Sequence, residues 1–148
     1  MRTSDDQVAA LRAFLVHDIQ AAALTAELGE QGIAGYQYLA DAALTIAVQR
    51  RFAPTYTSAD IVRLVASVRA ERLADGDEFD IDPMSAEDVL RRSLGQNVPE
   101  TADPECRFRA VVALLGALTD GADEIEVDDV LAEAGGVIDR WQAVKPDA

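Results

Sequence analysis

Along this chain, apolar residues recur three and four positions apart far more often than they alternate, and that spacing predicts helices. Val8, Leu11, Leu15 and Ile19 form the first such series. Ser4 and Gln7 stand ahead of it in the Ser-x-x-Gln spacing of a capping box. The stretch continues to Leu28, as one helix or as two with Asp18 capping the second, and Gly29 reads as its stop.

Residues 32–52 make the most apolar element. At 100° per residue, Ile33, Tyr36, Leu39, Ala40, Ala43, Leu44, Ile46, Ala47 and Val48 cover more than half of the circumference, which predicts a central helix. Tyr38, Asp41, Thr45 and Gln49 are left as a narrow polar stripe. Pro54 ends the element, because the residue before a proline is pushed out of the helical region.

Thr57, with Asp60 three residues on, opens the next helix, and Ile61, Leu64, Val65 and Val68 share its inner face. Asp82-Pro83 and Asp103-Pro104 each place a side-chain acceptor at the cap and proline at the first helical position. The first pair introduces a short helix from Met84 to Leu94, stopped by Gly95, and an exposed loop from Gln96 to Asp103 follows. The second introduces a helix through Thr119 whose Phe108, Val111, Val112, Leu115 and Leu118 make it apolar nearly all round. A last helix is predicted from Asp128 to about Val144, with Val130, Leu131, Ala134, Val137, Ile138 and Trp141 on one face. Gly135-Gly136 are expected to interrupt it, since glycine inside a helix costs about 1 kcal/mol relative to alanine.

Only two segments alternate. Residues 77–82 read D-E-F-D-I-D and residues 123–128 read D-E-I-E-V-D. They leave open one short two-stranded β-ribbon, although facing carboxylates would repel across it. The expected architecture is therefore all-α. A compact single-domain bundle of six or seven helices would span 1–148, with the helices at 32–52 and 105–119 central and packed together.

Composition changes this picture little. At 148 residues and 49% hydrophobic content the chain can bury its own core. The lone Cys106 rules out an intrachain disulfide and a multi-cysteine metal site. The opening Arg2-Thr3-Ser4-Asp5-Asp6 has no apolar h-region. The longest uncharged apolar run, Ala110 to Leu118, falls far short of the roughly 20 residues that span a bilayer. A soluble cytoplasmic protein without a membrane partner is the expectation.

Charge changes it more. The net charge is −14, yet residues 50–72 hold five arginines (Arg50, Arg51, Arg63, Arg69, Arg72) and two acids, a local +3, while residues 73–148 carry six bases and 19 acids, a local −13. Such a field repels nucleic-acid phosphates and anionic lipids, so no nucleic-acid partner is expected, and a basic protein partner suits it better.

Candidate chemistry mostly fails on residue count. His17-Asp18 matches the dipeptide of HD phosphohydrolases, but their metal centre needs further histidines and this chain has one. Glu27 and Glu30 form an E-x-x-E pair without the second carboxylate motif of helical pyrophosphohydrolases. The run Asp75, Asp77, Asp80, Asp82 lacks the glycine and the final glutamate of an EF-hand. Cys106 has no base placed near it by sequence, and no Gly-rich phosphate loop is present. No metal, cofactor or catalytic residue is assigned on these grounds.

Three functional expectations follow. The first is a non-catalytic interaction or adaptor module, self-associating as a homodimer or binding a basic partner, with Tyr38 and Trp141 as exposed aromatic contacts. The second is a small-ligand-binding protein or enzyme using Tyr38, Asp41, Thr45 and Gln49 with Arg50, Arg51 and other nearby arginines; a structure that splays these groups on open surface would end it. The third is an acidic regulator that mimics nucleic-acid charge.

Overall fold

A computed structural model describes residues 4–52, 54–76, 81–99 and 103–144, with side chains described as far as Trp141. Among them are seven α-helices and no strand. These are α1 (Asp5–Leu15), α2 (Ala21–Ala26), α3 (Gly29–Arg51), α4 (Ser58–Ala74), α5 (Pro83–Ser93), α6 (Pro104–Leu118) and α7 (Glu124–Val144).

The helices begin where side-chain acceptors allow it. Ser4 Oγ accepts from the Gln7 N–H at 3.3 Å, and Gln7 Oε1 accepts from the Ser4 N–H at 3.0 Å, closing the capping box of α1. Thr57 and Asp60 repeat the arrangement at α4. Asp82 and Asp103 cap α5 and α6, each followed by proline. The segment before Gly29 divides into two helices, α1 and α2.

α3 is the central element. It packs against α6 and α7, with α1 and α5 alongside, while α4 meets α5 and α6. Leu39, Leu44 and Val48 of α3 share one apolar core with Leu11 of α1, Leu90 of α5, Leu114 and Leu115 of α6, and Ile138 of α7. The Gln7 side chain crosses from α1 onto α3: its Nε2 donates to the Gly32 carbonyl at 3.1 Å, and it is buried. It lies so close over Gly35 that a methyl group there would collide with the amide.

Two expectations are corrected. Residues 124–128 are the first turns of α7, not a strand, because Asp123 Oδ1 accepts from the Glu126 N–H at 2.8 Å and caps the helix. Ile125 is 79% exposed and Val127 is buried, which fits the helical inner face formed by Val127, Val130, Leu131 and Ala134. Residues 77–80, in the other half of the ribbon that the sequence left open, lie outside the described residues. α7 also runs unbroken through Gly135-Gly136. Among the described residues, no neighbouring backbone presses on either glycine, and the space beside Gly135 is open. Burial of the opposite face holds that turn helical despite its poor propensity. No helix among the described residues is long and apolar enough to cross a membrane.

Candidate functional site

Tyr38, Asp41 and Thr45 stand at i, i+3 and i+7 on α3, a spacing that stacks side chains along one helix face. That face forms one wall of a cleft of about 640 Å³. α5 contributes Val89, Arg92 and Ser93, the turn after it contributes Gly95 to Val98, α6 contributes Arg107, and α7 contributes Trp141.

The turn after α5 is fixed by backbone geometry and by four side chains. Gly95 adopts φ +87 and lets the Gly95 N–H reach the Arg92 carbonyl and the Gln96 N–H reach the Arg91 carbonyl, each at 2.9 Å. Arg92 Nε donates to the Val98 carbonyl at 3.3 Å. Arg91 Nη1 donates to Gln96 Oε1 at 3.4 Å, and Gln96 Nε2 donates to the Tyr56 hydroxyl at 2.8 Å. The rim is thereby preformed. At the aromatic end, Tyr38 and Trp141 meet edge to face, with ring centroids 5.4 Å apart.

Asp41 is the unusual group. Burial pushes its carboxyl above the ordinary range, and the charges of Arg107 and Arg92 act against that push without cancelling it. Among the described residues, nothing donates a hydrogen bond to its carboxylate. Its backbone carbonyl, by contrast, accepts from Thr45 Oγ1 at 3.0 Å. A partly desolvated carboxylate therefore opens into a concave space without a donor of its own.

No family model, curated protein or solved structure matches this chain.

The remaining residues singled out by sequence lie elsewhere. Gln49 is exposed and does not line the cleft. Arg50 reaches across to α7, where it pairs with Asp129 at 2.8 Å and with Glu133. Arg51 lines a separate hollow of about 470 Å³ with Tyr56, Asp60 and Arg63. His17 is exposed, with φ +59, 3.9 Å from Asp120. Cys106 is partly buried in the first turn of α6. Among the described residues, no three His, Cys, Asp or Glu side chains are grouped to hold a metal ion.

Sequence reasoning did not single out Arg92 and Arg107 for this wall. One signal was readable: Arg107 falls in the first turn of α6, where the helix dipole disfavours a cation. A cation placed there against local preference points to a tertiary use.

Proposed function

We propose that this chain binds a small polar organic molecule between α3, α5, α6 and α7. The observation that carries the reading is Asp41, a desolvated carboxylate without a hydrogen-bond donor among the described residues, facing a cleft with two arginines and an aromatic corner. A ligand that supplies a donor to this partly buried carboxylate gains a hydrogen bond to a charged acceptor, worth about 1.5–3 kcal/mol. The cleft volume lies in the range of small-molecule sites.

Ligand-observed NMR against a mixed panel of amino acids, amines, carboxylates and sugars tests this. At least one class should give saturation transfer with the native protein and lose it in both Asp41→Asn and Arg107→Gln. A panel that gives none, or signals that both variants retain, would remove the reading.

A second reading, a self-associating or adaptor module for a basic partner, draws support from the start of α7. There Ile125 is exposed between Glu124 and Glu126, on a chain of net charge −14. Light scattering checks self-association, and a strict monomer indifferent to basic peptides argues against both forms of it.

A further inference from the structure

Separately from the cleft, we propose that the hollow beside Arg51 binds a small aromatic carboxylate, with the charge on Arg51 and the ring against Phe52 and Tyr56. Acids outnumber bases 27 to 13 in this chain, so its arginines meet carboxylates readily. Arg12, Arg50, Arg63 and Arg109 each pair with at least one. Arg51, next to Arg50 in sequence, forms no ion pair or hydrogen bond among the described residues. Yet it lines a hollow of about 470 Å³.

The charge balance inside that hollow selects the ligand. It is lined by two guanidiniums, Arg51 and Arg63, and one carboxylate, Asp60. Asp60 is already satisfied: Oδ2 accepts from the Thr57 N–H at 2.8 Å, and Oδ1 accepts from Arg63 Nη1 at 3.2 Å. Arg51 is therefore the uncompensated charge. A carboxylate matches it in sign and in shape, since its two oxygens fit the planar N–H fork of a guanidinium. A phosphate monoester would bring close to a second negative charge towards Asp60, in a chain of net charge −14. A neutral molecule would leave the charge of Arg51 unused.

The body of the ligand follows from the apolar wall. Phe52 and Tyr56 meet edge to face with ring centroids 5.9 Å apart, and Leu64 lies beside them in the lining. Gln96 Nε2 donates to the Tyr56 hydroxyl at 2.8 Å, which holds that ring in place. A third ring can join such a pair in the same offset or edge-on geometry.

Benzoate and hydrocinnamate are the carboxylate probes. Benzamide is the neutral comparison, acetate lacks the ring, and phenyl phosphate adds charge. Each is titrated at neutral pH into isotope-labelled protein, and the amide shifts of residues 51–67 locate the binding. Benzoate or hydrocinnamate should bind at least about tenfold more tightly than the other three, as expected for one charge-assisted hydrogen bond. Arg51→Gln should bring that carboxylate down to the benzamide level, while Asp41→Asn, in the cleft, should leave it unchanged. Arg51 is exposed, so its variant should fold, and a thermal melt checks that.

If phenyl phosphate binds more tightly than both carboxylates, the hollow takes a dianion and the assignment is overturned. Benzamide or acetate binding equally well, or a carboxylate affinity that survives Arg51→Gln, overturns it too. So does a flat response of residues 51–67 to all five probes. None of these outcomes touches the cleft, whose reading depends on Asp41.

Discussion

At the scale of single residues, Asp41 and Gly135 are both locally unfavourable, for unrelated reasons. Asp41 has its carboxyl raised by burial, so the folded state holds a proton more tightly than the unfolded chain. Its contribution to stability is fully present below the unfolded-state value and is lost as pH climbs through the folded-state value. Asp41→Asn removes that loss. Near neutral pH the variant should be more stable than the native chain by about 1 kcal/mol, with the gap closing as the pH is lowered through the carboxyl range. Paired thermal melts over that range check the sign; a variant less stable at neutral pH would mean that the arginine attraction outweighs burial. Gly135 sits inside α7 with open space where a methyl would go. Gly135→Ala should raise stability by about 1 kcal/mol, seen as a melting temperature higher by about 3 °C.

At the scale of elements, α5 determines the shape of the cleft, since it carries Arg92 and leads into the rim turn. Its start depends on Asp82, whose Oδ2 accepts from the Ser85 N–H at 3.0 Å and from Ser85 Oγ at 2.7 Å. Asp82→Ala should cost about 1 kcal/mol in denaturant unfolding. Weakened binding of whichever probe occupies the cleft should accompany it, because the rim loses its anchor.

Elements of this kind were legible in the sequence because their signals are local. Asp-Pro before α5 and α6, Thr57 with Asp60 and Ser4 with Gln7 all act within one turn, and the chain obeys them. The start of α7 was less legible: alternation of Ile125 and Val127 with acids imitates a strand, and only the cap at Asp123 discriminates. The α3 stripe was visible as a stripe. Its continuation was not, because Tyr38, Asp41 and Thr45 enter the cleft while Gln49, one turn further, emerges at the surface. Arg92, Arg107 and Trp141 meet α3 only through packing of α5, α6 and α7, and periodicity in one helix carries no information about which neighbour it faces.

At the scale of the whole molecule, the net charge of −14 works against compactness. Among the described residues, ion pairs that tie helices together include Arg12 with Asp128 at 2.7 Å and Arg50 with Asp129 and Glu133; these are solvent-exposed and contribute little each. Self-repulsion should therefore dominate the salt response. Raising ionic strength from about 10 mM to about 150 mM shortens screening from about 30 Å to about 8 Å, and the melting temperature should rise. A fall would show that the interhelical pairs matter more than the overall field. The position of Gln7 bears on how that unfolding proceeds. First turns usually fray ahead of everything else, but here the capping side chain of α1 is also the bolt into the early turns of α3. The amino-terminal amides of α1 should consequently exchange their hydrogens in step with those of α3, so that the first helix opens only when the middle of the protein does.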